Sequence, residues 1–260
     1  MDKIKAIFID FDRTLFDHNK KEIPQSTLEA LNLAHHNGVK LIINSARSFY
    51  SLENLNVFNT IKFDGYVTQN GGCAFLNHKN LYVKSFNKKD LHFLLSYFEE
   101  HKISYHLLTK KSSFIKIFDE NIVNNFYSIF YEPRPNSIEQ YKNQEVVCVQ
   151  AFCEEAFDND IKNNFPNFKF GRFSQYSIEL LPTNYTKTEG IEAFKKYFGY
   201  HENELMAIGD ENNDINMFKE VKYSVCMGNG HEEAKKTAYF VTTNIDDNGI
   251  YNALKHFEVI

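Results

Sequence analysis

Cysteine, tryptophan, net positive charge and long apolar runs are all scarce or missing in this chain of 260 residues. The four cysteines, Cys73, Cys148, Cys153 and Cys226, are too few for a disulfide scaffold and fit no zinc-ligand spacing. They read as thiols of a reducing compartment. There is no tryptophan, while Lys, Asn, Phe and Tyr abound. This bias reads as genome composition and carries no functional information. The net charge of -5 argues against nucleic acid as the main partner, because a phosphate backbone wants a basic face. It does not argue against small phosphorylated molecules, for which one or two local cations suffice. No stretch approaches the roughly 20 apolar residues of a membrane span. The opening MDKIKAIFIDFD breaks its short apolar run with acidic residues, unlike a signal peptide. The expectation is a cytoplasmic protein with no membrane partner. Its state, monomer or homodimer, is not legible.

What is present is an apolar fraction of 43%, enough for a substantial core, and 24% charged residues. No internal repeat and no low-complexity linker interrupts the chain. Short apolar runs alternate with helical patterns, which predicts α/β architecture with a parallel sheet. Strands are expected at Ile4 to Ile9, Val39 to Ile43, Tyr66 to Thr68, Leu205 to Ile208, Ser224 to Met227 and Tyr239 to Thr242. Ser26 and Glu29 have the spacing of a capping box opening a helix that ends at Gly38. A second helix is expected over Glu189 to Phe198, stopped by Gly199.

Between these halves the pattern changes. Strands are expected at Tyr82 to Phe86, Ser113 to Phe118, Val146 to Phe152, Phe168 to Phe173 and Ser177 to Leu181, with helices over Asp90 to His101 and near Glu154 to Asn164. This segment reads as an inserted α+β module. The organisation expected is a doubly wound, Rossmann-like core of residues 1–82 and 184–260 with a cap of residues 83–183.

Ligands of open α/β sheets gather at the carboxyl ends of the strands. Asp10 with Asp12, Ser45 with Arg47, and Asp210 with Asp214 stand where predicted strands end, and Lys187 stands just before a helix. Several carboxylates and a cation of this kind suit a hard divalent ion such as Mg2+ and a phosphate, since magnesium takes oxygen ligands and keeps several waters. Each residue alone has a plainer reading. A lone Asp is usually a turn former or cap, a lone Ser a helix cap, and a lone Lys a solvated side chain. Arg47 reads equally as a substrate contact or a structural ion pair. Asn213 reads as a substrate contact or a loop former, and Thr14 as a loop-shaping hydroxyl before a substrate contact.

Taken together, Asp10-Phe11-Asp12-Arg13-Thr14, Ser45, Lys187 and the run Gly209-Asp210-Glu211-Asn212-Asn213-Asp214 resemble the four motifs of haloacid dehalogenase-like phosphatases. The late cap, Asn70-Gly71 and Met227-Gly228-Asn229 resemble the Cof-type branch. The resemblance spans the chain. It implies an Mg2+-dependent phosphatase acting on a small phosphorylated metabolite. Asp10 would be the nucleophile that forms an aspartyl-phosphate, and Asp12 the acid and base. Ser45 and Lys187 would hold phosphoryl oxygens. Asp10, the Asp12 carbonyl and Asp210 would ligate the metal, with Asp214 on the metal or on its waters. The sequence departs from the pattern at Arg13 and Thr188, where Gly is frequent, and at Ala46, which follows the motif-two hydroxyl where Gly is usual. A phosphomutase or phosphotransferase on the same scaffold remains open. A phospho-acceptor signalling receiver shares the residue types but has no inserted cap. The substrate is not legible. Tyr105, Tyr127, Phe130 and Tyr131 could stack on a flat ring but are more often core, and His106 reads as packing or surface.

Overall fold

A computed structural model describes residues 3–55, 57–77, 79–129 and 133–260. Phe130 and Tyr131, two of the aromatics considered above, lie outside these. The chain divides into two compact units. The first comprises Met1–Arg47, Asn56–Tyr82 and Tyr185–Ile260, and the second Ser48–Leu55 and Val83–Asn184. Strands β1 (Ala6–Ile9), β2 (Lys40–Asn44), β3 (Gly65–Thr68), β4 (Cys73–Leu76) and β5 (Lys79–Val83) come first. The middle of the chain holds β6 (Ser104–Thr109), β7 (Ser113–Lys116), β8 (Asn136–Ser137), β9 (Val146–Phe152), β10 (Lys169–Ser174) and β11 (Ser177–Leu181). Strands β12 (Leu205–Gly209), β13 (Tyr223–Cys226) and β14 (Phe240–Val241) follow.

Among the described residues, eight strands form one sheet in the order β14-β13-β12-β1-β2-β3-β4-β5. The pairs from β14 to β3 are parallel and β3–β4 is antiparallel. The central strand β1 reads Ala-Ile-Phe-Ile, and all of it is buried. Such unbroken apolar runs mark parallel strands covered on both faces. The strand order reverses at β1, which has β2 on one side and β12 on the other. This is the switch point where doubly wound sheets open a crevice.

Helix α1 (Gln25–His36) departs from the sequence expectation: Ser26 is not its cap. The helix begins two residues earlier than a Ser26 cap would place it, Pro24 occupies the N-cap position at φ -56, and no side chain caps the end. The fixed ring torsion of proline sets the helical entry without a capping hydroxyl. Helix α2 (Phe49–Asn54) and helix α3 (Lys88–Glu100) lie in the second unit. They are capped by Ser48, which accepts from the Ser51 amide, and by Asn87, which accepts from the Asp90 amide. That unit also contains helix α4 (Glu120–Ile129) and helix α5 (Asp158–Asn164). Its sheet runs β10-β11-β9-β6-β7-β8 and is antiparallel apart from β7–β8. One face packs Leu107, Val149, Ala151, Ile178 and Leu180 against Leu91, Leu94 and Phe98 of α3 and Ile161 of α5. The expected strand at 82–86 instead ends at Val83 and starts at Lys79.

Helix α6 (Lys187–Phe198) starts at a complete capping box, Thr186 with Glu189, and stops at Gly199 in the left-handed region, φ 69. Its buried residues Lys187, Gly190, Ile191 and Phe194 follow the i, i+3, i+4, i+7 spacing of one helical face. That spacing turns Lys187 inward. Gly190 brings the helix against β3 so closely that a Cβ there would lie 2.4 Å from Val67 Cγ1. Gly190→Ala is therefore expected to destabilise the first unit by about 1–3 kcal/mol of overpacking, set against at most about 1 kcal/mol of improved helix propensity. Adding Val67→Ala should recover part of the loss. Urea unfolding curves of the three proteins check this, and an undiminished midpoint for Gly190→Ala would show that helix and strand separate freely.

Candidate active site

The first strand ends at Ile9, and Asp10 is held there by its amide, which donates to the Ile208 carbonyl on β12 at 2.9 Å. Ser45 follows β2 in the same way, donating from its amide to Val67 O. Asp210 follows β12, and Asp214 closes the single turn Asn212–Asp214 that leads into α7 (Ile215–Phe218). Lys187 enters from the first position of α6.

The side chains of Asp10, Lys187, Asp210 and Asp214 converge on one point. Lys187 Nζ donates to Asp10 Oδ1 at 2.5 Å and to Asp214 Oδ1 at 2.6 Å, and all three residues are buried. Asp214 Oδ2 accepts from the amides of Asp210 and Glu211 at 2.9 and 3.0 Å. Both Asp214 oxygens thus have protein donors, and the carboxylate pins the loop as well as the ammonium. Gly209 makes the approach possible, since a Cβ there would lie 2.5 Å from Asp214 Cγ. Thr14 Oγ1 donates to Asp210 Oδ1 at 3.0 Å. Among the described residues the other Asp210 oxygen is buried without a hydrogen-bond partner, and Arg13 Nε lies 3.6 Å from it.

Burial sets the electrostatics. It pushes the Asp10 carboxyl well above its usual range, against the pull of Lys187 and with the help of the neighbouring acids. It pushes Asp210 up to about 7, helped by Asp214. Burial alone would lower the Lys187 ammonium, but the charges of Asp10 and Asp214 outweigh it and hold its pKa above the ordinary lysine value. Asp10, Asp210 and Asp214 each offer an oxygen within 4.8 Å of the others. An oxygen-only donor set, one buried oxygen lacking a partner and an excess of negative charge fit a hard divalent cation such as Mg2+.

Asp12 belongs to a second, adjoining group. Arg47 grips it through Nε at 3.0 and 2.9 Å and Nη2 at 2.9 Å, and His18 Nε2 lies 2.6 Å from Oδ1. Burial raises the Asp12 pKa, but the hydrogen bonds of His18 and Arg47 outweigh it and the net shift is downward. Ser45 Oγ accepts from the Arg47 amide at 3.1 Å. Asn213 Nδ2 donates to Asn70 Oδ1 at 3.2 Å. So Thr14, Arg47 and Asn213, the candidate substrate contacts, each bond to a residue of the same unit.

His18 and Asn44 escaped the sequence reading as site residues, whereas Arg13 and Gly71 were named there without the contacts they make. His18 sits on Asp12, and no local pattern marks it. Asn44 Nδ2 donates to the Lys187 carbonyl at 3.2 Å, fixing the start of α6. Arg13 adopts φ 60, the left-handed conformation that explains why Gly suits this position. Its Nη2 donates to Asn229 O at 2.8 Å while Asn229 Nδ2 returns a bond to Arg13 O. Gly71, φ +98, abuts the same helix start, where a Cβ would lie 1.9 Å from Thr186 O.

A parallel sheet that reverses order at β1, with four acidic residues and a lysine gathered at its strand ends, defines a hydrolase of the haloacid dehalogenase-like class. The family model described as haloacid dehalogenase-like hydrolase matches residues 7–254, and the chain belongs to that family. YkrA of Bacillus subtilis (strain 168), provisionally named a phosphatase, is 25% identical over 257 residues, covering 98% of each chain. The crystal structure of a protein from Geobacillus kaustophilus HTA426 is similar at a TM-score of 0.90 and 29% identity, over 99% of this chain and 100% of that one. The subclass IIB sugar phosphatase BT4131 is similar at a TM-score of 0.78 and 29% identity, over 98% and 100%.

The buried acids set a pH test. In metal-free protein Asp210 takes up a proton near pH 7, whereas an unfolded Asp does so near about 3.9. Between these values the native state binds more protons, so stability from this group falls as pH rises. Asp210→Asn is expected to raise the thermal midpoint of the metal-free protein at pH 8 and to change it little near pH 4. Equal midpoints at pH 8 would mean that Arg13 already neutralises the charge.

Proposed function

We propose that this enzyme is a phosphatase of small phosphorylated metabolites, with Asp10 as nucleophile. The observation that carries the reading is the Lys187 ammonium held between Asp10 and Asp214 at the strand ends, next to the unpartnered oxygen of Asp210. Asp10 attacks phosphorus and takes the phosphoryl group as an aspartyl-phosphate while the alcohol departs, and water then releases phosphate. Lys187 opposes the upward push of burial on the Asp10 carboxyl and offsets the charge of the incoming group. Ser45 and Lys187 bind phosphoryl oxygens. Asp10, the Asp12 carbonyl and Asp210 would hold Mg2+, with Asp214 fixing the loop that presents Asp210. When bound, the metal supplies positive charge at the phosphoryl oxygens. Asp12 serves as acid toward the leaving oxygen and as base toward water. Its grip by Arg47 and His18 holds it as the carboxylate, the form the second task needs. The cap, with proposed bounds 83–183, selects the organic part of the substrate. The relative named a sugar phosphatase supports a metabolite of that kind.

Asp10→Asn removes the nucleophile with almost no change in volume. It should abolish phosphate release from p-nitrophenyl phosphate while leaving the far-ultraviolet spectrum intact, and turnover within tenfold of wild type would sink the assignment. Chelation should stop the reaction and added Mg2+ restore it.

Asp12→Ala separates the two tasks of that residue. p-Nitrophenolate leaves without protonation, so this substrate should give a burst near one equivalent before stalling at the aspartyl-phosphate. An alkyl phosphate should give almost none. Acid–base help is worth about 10²–10⁴-fold, so rapid-quench kinetics resolves both effects. Equal slowing of the first step for both substrates, with no trapped intermediate, would leave Asp12 as a positioning residue.

A further inference from the structure

Arg13 stands inside the opening motif, between Asp12 and Thr14, with its backbone in the left-handed region at φ 60. Glycine enters that region freely, and a residue with a Cβ does so at a cost. Such outliers persist where the surrounding structure fixes them, and they gather at functional sites. The surroundings of Arg13 do fix it. Its amide donates to the Phe16 carbonyl at 3.0 Å, and its own carbonyl accepts from Asn229 Nδ2 at 2.9 Å. At the far end of the side chain, Nη2 donates to the Asn229 carbonyl at 2.8 Å. Asn229 is anchored in turn, since its Oδ1 accepts from the Ile245 amide at 2.8 Å. One asparagine thus holds both the backbone and the guanidinium of the arginine.

The guanidinium so held stands beside the acidic centre without bonding to it. Its Nε is 3.6 Å from Asp210 Oδ2, and its Nη1 is 3.8 Å from Glu211 Oε2. Both separations exceed hydrogen-bond length. Asp210 Oδ2 is buried and has no hydrogen-bond partner among the described residues. An arginine that served to pair this carboxylate would grip it through several N–H groups, as Arg47 grips Asp12. Instead Asp210 Oδ2 keeps its lone pairs while a fixed positive charge stands next to it.

A cation taken up by Asp210 meets that charge. Like charges at this range repel one another even through water, and a guanidinium tied to Asn229 cannot move off without breaking its own bonds. We propose that Arg13 is a tethered competitor of the metal, which lowers the affinity of the acidic centre for Mg2+. This rests on the reading of Asp10, the Asp12 carbonyl and Asp210 as the magnesium ligands. It gives the arginine at a position that suits glycine a chemical consequence. A plain strut between the Arg13 and Asn229 loops would affect stability and leave metal affinity alone.

The test is calorimetric titration of Mg2+ alone into the metal-free full chain, with no substrate present. Arg13→Asn removes the charge and keeps a side chain that tolerates the left-handed backbone. Arg13→Gly removes both charge and strain, and Arg13→Lys keeps the charge. At low ionic strength Arg13→Asn and Arg13→Gly should each bind Mg2+ about tenfold more tightly than wild type, the scale of one nearby charge in a high dielectric. Arg13→Lys should stay within about twofold of wild type by the same measure. In about 0.5 M NaCl, where charges are screened within a few ångströms, the gain of the neutral variants should shrink. Equal or weaker binding by both neutral variants overturns the proposal, whatever happens to their thermal midpoints. So does a gain that Arg13→Lys shares or that salt leaves untouched. Uptake of Mg2+ by all the proteins alike removes only the proposal and leaves the metal reading standing. No uptake by any of them overturns the metal reading, and the proposal with it.

Discussion

The structure of the first unit turns on one buried ammonium. Asp10, Asp210 and Asp214 are 6% exposed or less, and Lys187 is 1% exposed. Carboxylates so close cannot all ionise in a dry interior unless a cation is fixed among them. The helical spacing of α6 delivers Lys187 there. One lysine against three acids leaves an excess of negative charge. That excess suits a divalent metal, and the ammonium lies where an incoming phosphoryl group would bring more.

The surrounding residues work by holding the loops that present these groups. Asp214 receives two backbone amides as well as Lys187. Thr14 orients Asp210, and Asn44 ties the first carbonyl of α6. Arg13 accepts a left-handed backbone that costs about 1–2 kcal/mol for a side chain-bearing residue. Its bonds with Asn229 and its proximity to Asp210 offset that strain. An arginine where glycine would be easier therefore puts a positive charge near the acidic cluster.

Much of this was legible in the amino-acid sequence, for a physical reason. Central parallel strands are buried on both faces, so Ile4 to Ile9 and Leu205 to Ile208 stand out as apolar runs, and the polar residues just after them mark the carboxyl ends. Lys187 and Asp10 are 177 residues apart, yet they are in contact, and their places after a strand and at a helix start are readable in the sequence. Other features depend on contacts that no local pattern encodes. His18 reaches Asp12 through a turn held by the Asp17–Glu22 bridge, and its ring looks like any surface histidine in sequence. Ser26 and Glu29 had cap spacing, but Pro24 set the helix entry. Strand β6 went unassigned because its Ser-Tyr-His-Leu-Leu-Thr mixes polar and apolar residues. His106 read as packing or surface because Gln150, its neighbour across the sheet, arrives only with strand pairing.

The position of β1 has a consequence for how the protein is made. Its residues pair with β2 on one side and with Leu205 to Ile208 on the other. The second edge can close only after Leu205 to Ile208 have left the ribosome, while the long segment Val83–Asn184 of the second unit is contiguous and needs no such wait. Pairings between distant segments form slowly, and domains generally fold as units during synthesis. Asp10 therefore spends the longest interval of synthesis beside an open strand edge, without Lys187. The carboxylates meet their balancing charge only once Lys187 has emerged, so a product truncated before it carries every residue of its opening motif without that ammonium.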